Sequence, residues 1–361
     1  MIRNPRKNNI SKILHSLWVA KNISRIQISR ELGLNKSTIS DIISILIKKE
    51  IVLEKEEGDS RPQGGRKPVQ LELNNKFGYV IGLEIRLESY TVVAVDLSGA
   101  ILYSKTEENS LIGDSFENRV IAILNNNIRE LKKIGLNILG AGIGMSGIID
   151  SKSGIIIGSI ALKIGGILNF EKKVASHFDF PVYIENDANC CAWGELTFHR
   201  SKQYQNFIFT LVEFLPSERK EVYESISVGF GIVFGGKVYH GSSNSAGEFH
   251  SIFCQPGELG QFHIPYENMV IEEFIEELSK HLALFTNTFN LGQIFLGGDI
   301  EEYQDIVEPI LSDAIKENWM YSSGLNYDIK FSSLAYRAVS YGAAGMVLER
   351  LFDNPDLILN L

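Results

Sequence analysis

Residues 24–49 read SRIQISRELGLNKSTISDIISILIKK, a sequence with the pattern of two short helices joined by a tight turn at Gly33. Ser24 and Gln27 have the spacing of a capping box, in which each side chain accepts a hydrogen bond from a free backbone N–H at the start of a helix. A short helix is therefore predicted to begin here and to end at Gly33. A second helix is predicted directly after it, so that the two form a helix-turn-helix.

The second helix of this pair, over residues 36–49, is the predicted recognition helix. Asn35 is well placed to cap it, because Asn is among the favoured N-cap residues. Its inward positions are apolar at helical spacing, whereas the outward positions near its start are small or polar, as residues entering a major groove must be. The candidates for base contact are Lys36, Ser37, Thr38 and Ser40. An amphipathic helix is also predicted over residues 8–21.

A β-hairpin wing is predicted behind the recognition helix. Residues 51–54 and 69–73 alternate like two half-buried strands, and a segment rich in Gly, Pro and basic residues lies between them. Three basic side chains of this segment are candidates for contact with a minor groove or with phosphates: Arg61, Arg66 and Lys67. A flexible basic linker remains an alternative for the segment, and a helix-turn-helix used only for protein contacts remains an alternative for the whole unit.

Charge divides the chain at the same place. Residues 1–76 have a net charge of +7 and residues 77–361 a net charge of −16, within a total of −9. A basic unit beside an acidic body suits a protein that binds the DNA backbone, because Lys and Arg release condensed counterions there. A solvated basic face is the alternative that charge alone leaves open.

Length and composition limit the classes of protein to which the chain can belong. The 361 residues exceed one ordinary domain, and 44% apolar with 22% charged residues is typical of a folded globular protein. Apolar runs end at a charge or a glycine before they reach membrane-spanning length, and the basic start is not followed by a signal-peptide core. A cytoplasmic protein without membrane association is expected. The three cysteines predict no disulfide framework.

The rest of the chain, residues 77–361, predicts a two-lobed α/β body. An antiparallel meander followed by β-α units occurs twice, which favours two similar lobes with a cleft between them. Small ligands bind in such clefts. We therefore expect two domains, a winged helix-turn-helix over residues 1–76 and an effector-binding and oligomerisation domain over residues 77–361.

Six short motifs, taken together and in order, resemble the ROK family (repressors, open reading frames and kinases). The similarity spans nearly the whole chain and is strongest to the branch of xylose and N-acetylglucosamine repressors. The motifs are Gly-Gly-Arg-Lys-Pro at 64–68, Gly-Ile-Gly-Met-Ser-Gly at 142–147, Glu-Asn-Asp-Ala-Asn at 185–189, Gly-Lys-Val-Tyr-His-Gly at 236–241, Ala-Gly-Glu at 246–248 and Leu-Gly-Gly at 296–298.

This resemblance implies an actin-like ATPase fold of the sugar-kinase type, a homodimer or homotetramer, and a sugar in the cleft that alters binding to a double-stranded DNA operator. The expected function is therefore a sequence-specific transcriptional regulator, a repressor, controlled by a carbohydrate-like effector. The resemblance and the motif positions make the following residues candidates for binding that effector: Gly147, Asn186, Asp187, Glu248 and His250. For Asn186 and Asp187, simple capping of the helix that begins there is an equal alternative.

Kinase activity is not expected, because the phosphate-binding stretches differ from the family pattern. The Asp-x-Gly-Gly-Thr loop of the kinases corresponds to Glu-Ile-Arg-Leu-Glu at 84–88, in which both glycines are replaced. Arg86 and Leu87 bring side chains where backbone should approach phosphate, and Glu88 adds a like charge. No cofactor is predicted. An ATP-dependent sugar kinase with an accessory DNA-binding module is the alternative, and a binder that responds to no ligand is a third.

The resemblance also implies a zinc site in many relatives, built by His and a Cys-x-Cys-Gly-x-x-Gly-Cys motif. The corresponding run at 254–261 keeps one cysteine of three, so no metal is expected. A different site from His250, Cys254 and His263 is the alternative. Ala161 replaces a sugar-binding Asn and Ser251 matches the family His, which puts the identity of the effector in doubt.

Overall fold

A computed structural model describes residues 5–55, 68–108, 115–135, 137–216, 223–258, 260–264 and 269–360. Within them the chain forms a small unit, residues 5–55 and 68–73, which we call the head, and a larger unit, residues 78–360, which we call the body. The head contains helices α1 (Pro5–Ala20), α2 (Arg25–Leu32) and α3 (Lys36–Lys48) and strands β1 (Ile23–Ser24), β2 (Val52–Lys55) and β3 (Gln70–Leu73).

The start of α2 forms as its sequence predicts. The backbone N–H of Ser24 donates to Oε1 of Gln27 over 2.9 Å, and the N–H of Gln27 donates to Oγ of Ser24 over 3.4 Å. Gly33 ends the helix with φ +65°, a left-handed conformation that glycine adopts without strain. Asn35 stands at the N-cap position of α3, but its side chain makes no capping hydrogen bond, so that part of the prediction is wrong.

The strands of the head form a wing with β3 in the middle. β3 pairs antiparallel with β2 on one side and with β1 on the other, and β1 had no signal in the sequence because it is two residues long. The apolar faces of α1 and α3 pack on this sheet, with Ile13, Ile43 and Leu71 fully buried. Helix-turn-helix and wing therefore share one core. The predicted wing contacts Arg61, Arg66 and Lys67 lie outside the described residues.

The first lobe of the body is a five-stranded mixed sheet in the order β11-β7-β4-β5-β6. Strands β4 and β5 are buried on both faces, because the apolar side of the helix over residues 116–131 packs on one side of the sheet and the helix over residues 338–353 packs on the other. A small antiparallel sheet, β8-β9-β10, extends the lobe. The elements are β4 (Gly78–Ile85), β5 (Ser89–Asp96), β6 (Ile101–Glu108), α4 (Phe116–Leu131), β7 (Asn137–Met145), β8 (Ile148–Asp150), β9 (Ile155–Gly158), β10 (Leu168–Asn169), α5 (Phe170–Ala175) and β11 (Val182–Asn186).

The second lobe repeats this topology. Its sheet has the order β14-β13-β12-β15-β16. In each lobe the first strand is central, the next two form an antiparallel meander with it on one side, and the last two run parallel to it on the other. The two-lobed α/β prediction is confirmed. The remaining elements are α6 (Asp187–Phe198), β12 (Phe207–Pro216), β13 (Tyr223–Phe234), β14 (Lys237–Val238), α7 (Ile271–Phe289), β15 (Gln293–Gly298), α8 (Gln304–Glu317), β16 (Asp328–Phe331), α9 (Ala338–Asp353) and α10 (Asp356–Leu359).

Two central helices join the lobes. α9 packs on the sheet of the first lobe, α6 packs on the sheet of the second, and the two helices contact each other closely. Small residues permit this approach: a Cβ on Gly342 would lie 1.6 Å from the carbonyl oxygen of Cys190, and a Cβ on Gly82 would lie 1.8 Å from that of Ser340. Cys190 is fully buried in this contact, as expected of a cysteine that packs as an apolar residue.

The head packs on the body through α1 and α9. Trp18 of α1 meets Phe352 of α9 edge to face, with ring centroids 5.4 Å apart. Arg200 donates from Nε to the carbonyl oxygen of Trp18 over 2.7 Å, and its guanidinium lies over the Trp18 ring. The buried residues of the head and those of α9 form one continuous apolar cluster. Across the described residues, no helix is both long and apolar enough to span a bilayer.

Candidate functional site

The cleft between the lobes contains two adjoining cavities, which share Ser146, Ala161 and Lys163 in their walls. The inner one, of about 390 Å³, is lined by carboxylates from both lobes, and we call it the carboxylate cavity. The outer one, of about 850 Å³, we call the polar groove. The acidic side chains of the carboxylate cavity are Glu84, Glu88, Asp187, Glu213 and Asp299.

Arg86 joins the two lobes across the carboxylate cavity. Its Nε lies 2.6 Å from Oε1 of Glu84 on β4, and its second terminal nitrogen lies 2.9 Å from Oε1 of Glu213 on β12. Burial lowers the pKa of Arg86, but the charges of Glu84 and Glu213 outweigh it and raise that pKa above its usual range. The guanidinium therefore stays charged. It supplies the positive charge that these buried carboxylates require.

Asp187 begins α6 in the wall of the same cavity. The N–H of Ala188 donates to its Oδ1 over 2.7 Å. Burial, with the negative charge of Glu213 nearby, raises the pKa of Asp187 to about 8. Burial raises the pKa of Glu213 and of Glu84 as well. A cavity lined by several carboxyl groups favours cations and neutral hydroxyl groups over the oxygens of a triphosphate.

The polar groove contains three of the predicted effector residues. Gly147, Glu248 and His250 lie in its wall, and Glu248 and His250 are exposed. Gln261 also lines the groove, but its amide is occupied: Nε2 donates to the carbonyl oxygens of Val228 (2.7 Å) and Phe249 (3.1 Å). In the part of the chain that the structure describes, the Glu248 carboxylate makes no hydrogen bond or ion pair, so it is available to a ligand hydroxyl.

Asn186 lines neither cavity. Its Oδ1 accepts a hydrogen bond from the N–H of Asn189 over 3.1 Å, which caps α6, and its Nδ2 donates to the carbonyl oxygen of Gly147 over 3.0 Å. Gly147 itself has φ +133°, and a Cβ there would lie 2.5 Å from the carbonyl oxygen of Gly158. Asn186 thus holds the turn that forms the floor of the groove, and Asp187, directly after it, lies in the carboxylate cavity.

The residues at the family zinc position do not fit a zinc ion. The Cys254 thiol donates to the carbonyl oxygen of Gln261 over 3.6 Å, and burial raises its pKa, so the thiolate that zinc requires is disfavoured. His263 pairs instead with Glu258, its Nδ1 lying 2.9 Å from Oε1. Among the described residues, His250, Cys254 and His263 form no group of converging ligands, so the alternative metal site proposed from the sequence is not formed.

A buried hydrogen-bonded network takes the place of the metal. Ser251 Oγ donates to the Glu277 carboxylate, and Nε2 of His281 lies 2.9 Å from the same oxygen of Ser251. Burial lowers the pKa of His281, which keeps its imidazole neutral. The network ties the loop that contains Glu248 to α7. Sequence reasoning missed it, because Glu277 and His281 lie on a helix with no motif.

The predicted base-contacting residues share the outer face of α3. Lys36, Ser37 and Ser40 are exposed and Thr38 is half-buried. On the opposite face Ile39, Ile42, Ile43 and Leu46 are buried. The outward side of α3 is therefore free to enter a groove of DNA from the first turn of the helix.

The sequence and the fold of this chain are similar to those of several known proteins. The ROK family model matches residues 80–260. The xylose repressor of Caldicellulosiruptor bescii is 25% identical over 95% of this chain and 96% of its own length. A solved ROK family transcriptional regulator, a homologue of the E. coli Mlc protein, superposes with a TM-score of 0.77 at 20% identity and covers 99% of both chains. A ROK family glucokinase from Streptomyces griseus, solved with glucose and AMPPNP, gives a TM-score of 0.58 at 19% identity, over 74% of this chain and 99% of that one.

The chain belongs to the ROK family. The match to the regulator includes the head, whereas the match to the glucokinase covers three quarters of the chain. Together with the full-length similarity to a named repressor, this makes the chain a DNA-binding transcriptional repressor with a body of the sugar-kinase fold.

Proposed function

We propose that the repressor binds its operator with the outer face of α3 and the wing, binds a sugar in the polar groove, and does not phosphorylate it. The DNA contacts proposed are Lys36, Ser37, Thr38, Ser40, Arg61, Arg66 and Lys67, within a domain of residues 1–76. The effector contacts proposed are Gly147, Asn186, Asp187, Glu248 and His250, within a domain of residues 77–361. Asn186 acts by holding Gly147. Gly147, Glu248 and His250 face the polar groove, and Asp187 is proposed to reach the ligand from the adjoining carboxylate cavity.

The observation that carries the proposal is the ion pair of Arg86 with Glu84 and Glu213. Phosphoryl transfer requires donors and a metal ion around the phosphates. Here an internal cation, Arg86, already pairs with two carboxylates of the cavity, and Glu88 and Asp299 add further acidic groups to its wall. A triphosphate would have to displace Arg86 and then lie among these carboxylates.

The sugar proposed as first candidate is D-xylose, because the full-length relatives include a xylose repressor. Glu248 supplies an acceptor for a hydroxyl, and the exposed His250 a second polar group. The ligand can control DNA binding only if its affinity differs between two arrangements of the heads. A dimer is proposed, because two recognition helices then read half-sites separated by a multiple of about 10 bp.

Two assays test the function. Binding-site selection from genomic fragments, followed by gel shifts at low salt, is expected to yield a specific complex that sugars weaken or strengthen. A coupled assay with ATP and a panel of hexoses and pentoses is expected to show no turnover.

The competing function is a sugar kinase, which the retained Asp187 favours, because a carboxylate at this position accepts the proton of a sugar hydroxyl. Turnover that disappears in Asp187→Asn would establish the kinase and refute the proposal. Absence of any DNA complex would refute the role of the head.

A further inference from the structure

We propose that His15, Glu349 and Asp353 bind a divalent transition-metal ion, with Zn²⁺ as the probe, at the contact between head and body. His15 lies on α1 of the head, and the two carboxylates lie on α9 of the body. One ligand atom from each residue lies within 4.8 Å of the others. The site is separate from the cleft and from the family zinc position.

The geometry follows from two helices in contact. Glu349 and Asp353 are four residues apart, so α9 presents both carboxylates on one face. Nδ1 of His15 lies 3.7 Å from Oε2 of Glu349, and its Nε2 lies 3.4 Å from Oδ1 of Asp353. Ligands of a tetrahedral zinc ion with bonds of about 2.0–2.2 Å are roughly 3.3 Å apart. The two distances from His15 involve different nitrogens of the ring, and only one nitrogen of His15 can bind a given ion. With one ligand atom per residue, the three atoms lie within 4.8 Å of one another, so they must move closer together when an ion binds.

The chemistry of the ligands selects the class of ion. One imidazole and two carboxylates form a mixed nitrogen and oxygen set, which suits Zn²⁺ and its neighbours in the transition series. Ca²⁺ and Mg²⁺ prefer oxygen ligands alone. Three protein ligands leave a fourth position for water.

The surroundings hold the imidazole in place. The ring of His15 meets Phe352 edge to face, with centroids 5.9 Å apart, and Trp18 packs on the same Phe352. Lys7, nearer the start of α1, forms an ion pair with Asp356 at the start of α10. An ion at this site therefore links α1, the first helix of the head, to α9, the helix that joins the head to the lobes. Bound metal would oppose rotation of the head relative to the body.

Zinc titration of the full chain tests the site. The protein is treated with EDTA, dialysed, and titrated with ZnCl₂ by calorimetry, and CoCl₂ absorption reports the coordination geometry. One saturable ion per chain is expected. Asp353→Asn and His15→Gln are expected to weaken it by at least about tenfold, since even residues that only orient metal ligands contribute that much. Bound Zn²⁺ should raise the melting temperature of the unmodified chain and not that of Asp353→Asn.

The controls are His177→Gln and Asp313→Asn, which change an exposed histidine and an exposed aspartate elsewhere. Both should keep the affinity of the unmodified chain. Asp353→Asn alters an exposed side chain, so its fold can be verified by its circular dichroism. The proposal is overturned if no saturable binding occurs, or if Asp353→Asn binds Zn²⁺ as tightly as the controls.

Discussion

Replacing Arg86 by alanine is the change whose effect the structure defines most closely. The substitution removes a cation that contacts Glu84 at 2.6 Å and Glu213 at 2.9 Å. The two carboxylates are 5% and 14% exposed, whereas the Arg86 side chain is 44% exposed. Losing one partner of a fully buried ion pair costs about 3–5 kcal/mol. Because Arg86 is partly solvated, we expect about half of that, roughly 2 kcal/mol at pH 8.

The pH dependence of the destabilisation separates loss of the Arg86 charge from simple loss of packing. Burial already raises the pKa of Glu84 and of Glu213, and removal of Arg86 raises both further. Below those pKa values the carboxyls are neutral in the folded chain and need no cation. The destabilisation by Arg86→Ala should therefore be largest at pH 8 and smaller at pH 5.

Urea unfolding followed by circular dichroism at pH 5 and pH 8 measures both quantities. Arg129→Ala is the matched control, because Arg129 is exposed on α4 and its loss should change stability by less than about 0.5 kcal/mol. If the Arg86→Ala variant is as stable as the unmodified chain at pH 8, Arg86 does not act as the cation of the cavity. An equal loss at both pH values would attribute the effect to packing.

Three further results are expected. Burial raises the pKa of Asp187 to about 8, so the folded chain retains a proton that the unfolded chain loses. Stability should therefore fall by roughly 3–4 kcal/mol between pH 5 and pH 8, and Asp187→Asn should flatten that slope in urea unfolding. Gly342→Ala should lower the free energy of unfolding by about 3 kcal/mol, and with it the melting temperature, because the new Cβ would overlap a backbone oxygen. Gly165→Ala should leave the melting temperature unchanged, because the space around Gly165 is open. Arg66→Ala should weaken binding to every DNA sequence and lower its salt dependence, whereas Thr38→Ala should change the preferred sequence in competition gel shifts; an effect of Thr38→Ala that is uniform across sequences would contradict its assignment.

Local signals in the sequence predicted most of the head and the order of elements in the body. The capping box of Ser24 and Gln27 depends on residues three apart, so the sequence alone reveals it. The cap by Asn35 failed because a favoured residue type does not dictate the orientation of its side chain. The small sheet of β8, β9 and β10 had no signal, because strands of two to four residues show no periodicity.

The contacts that define the site could not be predicted in the same way. The replacement of glycines by Arg86 and Leu87 was visible, but the partner of Arg86 in the other lobe, Glu213, depends on how the lobes close. The same holds for His15, whose carboxylate neighbours lie at the far end of the chain. For Asn186, the sequence alone predicted the position at the start of α6. Its roles as a cap and as a support for Gly147 became evident only from the hydrogen bonds of its side chain.

A sugar in the polar groove is proposed to control the affinity of the head for DNA. Fluorescence anisotropy of a fragment selected by the full chain, at fixed salt and with or without D-xylose and related sugars, measures this coupling directly. We expect one sugar to change the Kd for DNA by at least about fivefold. Glu248→Gln should bind the same DNA and lose the response. Control of the head by a sugar would be contradicted by the absence of a complex at low salt, or by a Kd that is unchanged at saturating concentrations of every sugar.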